Sequence, residues 1–137
     1  MSVVVDASVL VAATIDSGAD GIWAEGIVSE GDIVAPHLAL VEATNILRRL
    51  ERSRAISSSE AAVAQRDLVR LVIELLPFEP FAERVWALRR NVTSYDAWYV
   101  AIAEAFALPL ATLDRRLARS PGPSCRFLTP ARRTGRG

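Results

Sequence analysis

The chain has 137 residues, 51% hydrophobic and 23% charged, a common size for one domain that buries its core without a disulfide or structural metal. Sixteen basic residues balance sixteen acidic ones and every basic residue is Arg, which excludes mechanisms built on a Schiff-base, P-loop or kinase-type lysine. A single His37 and a single Cys125 exclude a thiolate zinc site, an internal disulfide and any ribonuclease chemistry that pairs two histidines.

Val3-Val4-Val5 is a β-branched run that predicts a strand, and the apolar stretch Ala7 to Ile15 predicts a helix directly after it. Ile33 to Ala35 reads as a second strand, with Pro36 in the first turn of a helix that runs to about Arg54. Ser57 and Glu60 form a capping box for a helix over 57–72, followed by an extended stretch to Phe78. Pro80 to Arg90 is helical, with Phe81, Val85 and Leu88 on one stripe. Thr93 and Asp96 have capping-box spacing, and the helix from there to Ala107 is apolar on nearly every face. Such a helix is either buried in the monomer or part of a dimer face. Leu110 to Leu113 is a strand, Asp114 to Arg119 a helical turn, and Arg126 to Leu128 a last strand. This alternation predicts an α/β fold, a three-layer α/β/α sandwich around a small, mostly parallel sheet. The expected organisation is one domain over 1–130 and a flexible Arg- and Gly-rich tail over 131–137. With no secretory signal, and with the longest apolar stretch broken by Glu104 and Pro109, a cytoplasmic protein with no membrane span is expected.

Charge is unevenly spread. Residues 1–47 carry seven acids and no Arg or Lys, so all sixteen Arg lie in 48–137 beside nine acids. Four carboxylates stand out against this pattern. Asp6 and Asp114 each follow a strand and precede a helix, where each is either an N-cap or a ligand at a strand's carboxyl end. If the two strands are neighbours, both side chains reach one crevice. Asp96 has a capping reason of its own, opposite Thr93. Glu42 has the least: counted from Pro36 it lies past the first turn, among Leu38, Leu40, Ala43, Ile46, Leu47 and Leu50, at the edge of an apolar face. An ionised group there needs a partner, and a long-reach ion pair with Arg49 is the bland alternative.

The segments Val-Val-Val-Asp6-Ala-Ser8, Leu-Val-Glu42-Ala-Thr-Asn45-Ile-Leu-Arg-Arg, Ser-Tyr-Asp96-Ala-Trp-Tyr-Val-Ala-Ile-Ala and Ala-Thr112-Leu-Asp114-Arg-Arg-Leu resemble, in order and spacing, the four motifs of PIN-domain ribonucleases, and more closely the VapC-type toxins of toxin–antitoxin pairs. The resemblance covers residues 3 to about 128 and departs at none of the four acids. It implies a Mg²⁺- or Mn²⁺-dependent endoribonuclease toxin acting on RNA, inhibited by a cognate antitoxin and usually a homodimer. It also implies an acidic site of Asp6, Glu42, Asp96 and Asp114, supported by Ser8, Asn45 and Thr112.

Elementary chemistry runs the same way. Four gathered carboxylates repel one another, and oxygen-only ligands favour a hard cation that keeps several waters. A metal-acidified water attacking phosphorus needs no amino-acid base, which suits a chain without Lys and with one His. A partner Arg reaching Glu42 or Asp96 would compete with that cation. RNA is expected to bind on the rim, through Arg48 and Arg49 and through Arg115 and Arg116, with other Arg clusters as solvated surface or further phosphate contacts. Trp23, Trp86 and Trp98 are expected in the core or an interface. An aspartyl phosphatase would want a second acid where Ser8 stands, and a phospho-receiver would want a lysine. The remaining alternative is a non-catalytic RNA- or protein-binding module of the same fold.

Overall fold

The computed structural model of the chain describes residues 1–131, so all but the first residue of the expected tail lies outside the described residues. The valine run forms β1 (Ser2–Val5), buried over its last three residues, since β-branched side chains pack well against both faces of a pleated ribbon. It is the centre of a five-stranded sheet with β2 (Asp32–Pro36), β3 (Ile73–Leu76), β4 (Leu110–Ala111) and β5 (Phe127–Leu128), in the order β3-β2-β1-β4-β5. All four pairings are parallel, sharpening the expectation of a mostly parallel sheet. The flanking helices are α1 (Ala7–Ile15), α2 (Ala19–Glu30), α3 (Ala39–Arg52), α4 (Ser58–Arg70), α5 (Ala82–Ala87), α6 (Ser94–Phe106) and α7 (Arg115–Ala118). α6 packs directly on β1, β2 and β4, while α1, α3 and α4 pack against one another.

The apolar helix is the buried one. Ala97, Tyr99, Val100, Ala101, Ile102 and Ala103 of α6 are all buried, and of its large side chains Tyr95 and Phe106 are exposed. The Ser57 box forms in full: the Ser57 hydroxyl accepts the Glu60 N–H at 3.0 Å, and the Glu60 carboxylate accepts the Ser57 N–H at 3.1 Å. Glu104 on α6 accepts the Arg84 guanidinium at 2.6 and 3.1 Å and the Ser124 N–H and hydroxyl at 2.7 and 2.8 Å. These contacts fasten the segment that leads into β5.

Three expectations need correction. Pro36 does not open a helix but closes β2, paired with Leu76, and the ladder continues as the His37 N–H donates to the Leu76 carbonyl at 2.9 Å. Pairing with β3 thereby holds the chain extended, and α3 begins three residues later. Glu42 consequently falls in the first turn of α3, where the helix dipole favours an anion. Second, α2 has no counterpart in the sequence reading, because Gly21 and Gly26 dilute an already weak apolar pattern. Gly21 has a packing reason: a Cβ there would lie 1.8 Å from the Asp16 carbonyl oxygen, so only glycine lets α2 turn back so closely on α1. Third, of the two places expected for Trp86, core or interface, the core is excluded: it is 67% exposed, with the Arg89 guanidinium 4.4 Å from its ring centroid.

Candidate active site

The strand order reverses at β1, whose neighbour β4 comes from the far end of the sequence, and ligands of open parallel sheets bind at the carboxyl ends beside such a reversal. Asp6 leaves β1 at this edge with extended backbone and caps α1, its Oδ1 accepting the Val9 N–H at 3.2 Å. Capping therefore accounts for one of its oxygens. Oδ1 also accepts the Ser8 hydroxyl at 2.5 Å, and Oδ2 accepts the hydroxyl of Thr112, which is fully buried. Each hydroxyl in turn accepts a backbone N–H from the turn after β4: Asp114 to Thr112 at 2.9 Å and Leu113 to Ser8 at 3.2 Å. Ser8 and Thr112 thus tie the ends of the two neighbouring strands to one carboxylate. Burial pushes the Asp6 carboxyl above its ordinary range, the three hydrogen bonds oppose this, and the Asp96 charge adds to it.

Glu42 is half-buried and its Oε1 accepts the hydroxyl of Tyr99 at 3.0 Å. Its carboxyl is also raised, first by burial and then by the charges of Asp96 and Asp6, against the Tyr99 hydrogen bond. The ion pair with Arg49 is not formed; among the described residues the one salt bridge is Arg84–Glu104. Asp96 stands in the first turn of α6, where the Thr93 hydroxyl accepts its N–H at 3.2 Å. Unlike the Ser57 pair, the return bond from Glu or Asp to the cap residue is not made here. The Asp96 carboxyl is raised by burial and by the charge of Asp114, with a Thr93 hydrogen bond opposing. Asp114 is exposed and caps α7, accepting the Arg116 and Leu117 N–H groups at 2.9 and 3.2 Å. Charge thus links the four acids: Asp6 feels Asp96, Glu42 feels Asp96 and Asp6, and Asp96 feels Asp114.

The supporting and basic residues divide. Ser8 and Thr112 are in the network, whereas Asn45 is exposed on α3 and makes no side-chain hydrogen bond among the described residues. Arg48, Arg49 and Arg116 are exposed. Arg115 donates to the Pro130 carbonyl at 2.7 Å, so this guanidinium pins the last described segment of the chain. Tyr99 was missed by sequence reasoning, although a tyrosine one turn after Asp96 in an otherwise apolar helix is a signal, since a buried phenol seeks a partner. Cys125 is half-buried and its thiol is pushed up to about 11 by burial, which makes it unreactive.

Three carboxyls pushed upward by burial and by neighbouring acidic charge, with no Arg paired to them among the described residues, have the chemistry to hold a hard divalent cation. Among the described residues no three His, Cys, Asp or Glu side chains stand close enough together to hold a metal ion between them. A cation here would be held by one or two of these carboxylates and otherwise by water, a donor set that Mg²⁺ accepts.

The PIN domain family model matches residues 3–122. Ribonuclease VapC1 of Mycobacterium tuberculosis is 43% identical over 123 residues, spanning 89% of this chain and 92% of its own. A crystal structure from Pyrobaculum aerophilum superposes with a TM-score of 0.70 at 26% identity, covering 93% of this chain and 83% of that one. The Mycobacterium tuberculosis VapC20 structure, described as a sarcin–ricin loop cleaving toxin, shares the fold with a TM-score of 0.62 at 16% identity, covering 85% of this chain and 92% of that one. A family match along nearly the whole described chain, with such a relative beside it, means that this chain belongs to the PIN-domain family and, within it, to the VapC-type ribonucleases.

Proposed function

We propose that the chain is an endoribonuclease toxin that holds Mg²⁺ or Mn²⁺ at the carboxyl edge of β1 and β4, works as a homodimer and is silenced by a small antitoxin protein. The observation that carries this reading is the set Asp6, Glu42 and Asp96, three carboxyls raised first by burial and then by the charge of acidic neighbours, with no Arg paired to them among the described residues. The VapC name and 43% identity of the mycobacterial relative support the ribonuclease half, and the toxin description of VapC20 supports the toxin half.

In this reading Asp6 and Asp96 are direct ligands, Glu42 is a ligand or orients water, and Asp114 contributes beside Asp96. A bound divalent ion supplies an acidified water and neutralises charge at the phosphodiester. Ser8 and Thr112 hold Asp6 in place through both of its oxygens. Because the acids repel a polyanion, the substrate is held from the rim, where Arg48, Arg49 and Arg116 are free to meet phosphates. An antitoxin side chain of positive charge reaching Glu42 or Asp96 would exclude the cation by taking the same oxygens.

The test is cleavage of single-stranded or looped RNA by the purified chain. Cleavage with Mg²⁺ or Mn²⁺ that stops in EDTA is expected, and cleavage that survives EDTA overturns the reading. RNA binding without cleavage at any metal concentration would instead make the chain a binding module of the same fold.

A further inference from the structure

Tyr99 is 1% exposed, yet its hydroxyl is not spent on the core. It lies one turn past Asp96 on α6 and donates at 3.0 Å to Oε1 of Glu42 on α3, a residue 57 positions earlier in the chain. Burial, and then the charges of Glu42, Asp6 and Asp96, keep the phenol in its donor form. No other side-chain hydrogen bond reaches Glu42 among the described residues, and no Arg is paired with it. A glutamate in the first turn of a helix, half open to water, has several rotamers that carry its charge away from Asp6 and Asp96, and repulsion favours those rotamers. Only the bond from Tyr99 opposes this. It also commits Oε1 and leaves Oε2 with no side-chain hydrogen bond among the described residues.

We propose that Tyr99 is a positioning residue for the reaction: its hydroxyl holds the Glu42 carboxylate on the side of the crevice it shares with Asp6 and Asp96, where it would help to hold a divalent cation. This rests on the metal-dependent reading above. A tyrosine kept only for packing would lose nothing but stability when its hydroxyl is removed. A positioning tyrosine acts through Glu42, and partners of this kind typically change metal affinity or activity 10- to 100-fold, on the order of what is expected here.

The experiment compares the full chain with Tyr99→Phe, which keeps the ring and its packing. Mn²⁺ binding to the RNA-free protein, read by calorimetry or by the Mn²⁺ magnetic-resonance signal, is expected to weaken about 10- to 100-fold. kcat at limiting Mn²⁺ should fall with it while KM for RNA stays unchanged. In a Glu42→Gln background the same substitution should add nothing, since its route is already cut. A folded Tyr99→Phe with wild-type Mn²⁺ affinity, or an effect that is additive with Glu42→Gln, overturns the proposal. Wild-type chain that binds no Mn²⁺ overturns both this proposal and the metal reading, whereas wild-type binding with an unaffected Tyr99→Phe overturns this one alone. If Tyr99→Phe does not fold, the wild-type protein decides. Its two tyrosines, labelled at the ring carbon that bears oxygen and assigned with Tyr95→Phe, give two resonances. Mg²⁺ should move the Tyr99 resonance, and a Tyr99 signal blind to Mg²⁺ at saturation rejects the placement.

Discussion

Thr112 donates its hydroxyl to the carboxylate of Asp6 across 106 residues of sequence, while the same hydroxyl accepts the Asp114 N–H at 2.9 Å. One fully buried threonine therefore sets both the orientation of Asp6 and the path of the turn that carries Asp114. Replacing it by Val keeps the shape and removes both bonds. A buried, charged acceptor that loses its donor costs about 1–3 kcal/mol, so Thr112→Val should lower the denaturation free energy by that order and depress cleavage by more than its loss of fold explains. Urea unfolding beside RNA cleavage rates checks both.

Asp6→Asn and Asp96→Asn remove charge and keep shape. Cleavage should fall below detection in either, with circular dichroism unchanged. The metal-free melting temperature should not fall in Asp96→Asn, because burial and the Asp114 charge both disfavour the ion that is lost. A variant retaining wild-type cleavage would move the chemistry away from this edge.

The same shifts fix the pH dependence of the metal-free chain. Asp6, Glu42 and Asp96 have folded-state carboxyls raised above the ordinary 3.8 to 4.5, so the folded form binds more protons than the unfolded form in the window above those values. Their contribution is fully present below the ordinary values and is lost as pH rises through the raised ones. In EDTA, the melting temperature should therefore rise as pH is lowered from neutral toward the ordinary carboxyl range, and Asp96→Asn should flatten the slope. Glu104, held below its ordinary value by Arg84 and Ser124, acts in the opposite sense and only at lower pH. Mg²⁺ at neutral pH should restore what deprotonation removed, visible as a thermal shift absent from Asp6→Asn.

The Arg residues named for RNA separate into two kinds. Arg48→Ala and Arg49→Ala remove exposed charges with no ion-pair partner among the described residues, and each should weaken RNA binding and lower the salt slope by about 0.7 with little change in kcat. Arg115→Ala breaks the bond to the Pro130 carbonyl and should instead loosen the end of the chain, read as faster amide exchange around Phe127 and Leu128. Equal salt slopes in all three variants and wild type would place the RNA elsewhere.

What is local was legible in the sequence. The Val3–Val5 strand, the Ser57–Glu60 box and the burial of the helix after Asp96 follow from side-chain branching, caps and apolar spacing, all of which act within a few residues. So does the position of Asp6 and Asp114 after strands, and the order of the four acids carries the family likeness. What depends on distant segments was not legible. Pro36 ends a strand because β3 pairs with it, α2 persists because Gly21 lets it close on α1, and Glu42 is bonded by Tyr99 rather than Arg49 because the long Tyr99 side chain of α6 reaches it on α3. The sequence names the groups able to share a site; only packing decides which hydroxyl reaches which carboxylate, since a hydrogen bond needs its atoms within about 3 Å and periodicity places a residue on a face, not against a partner.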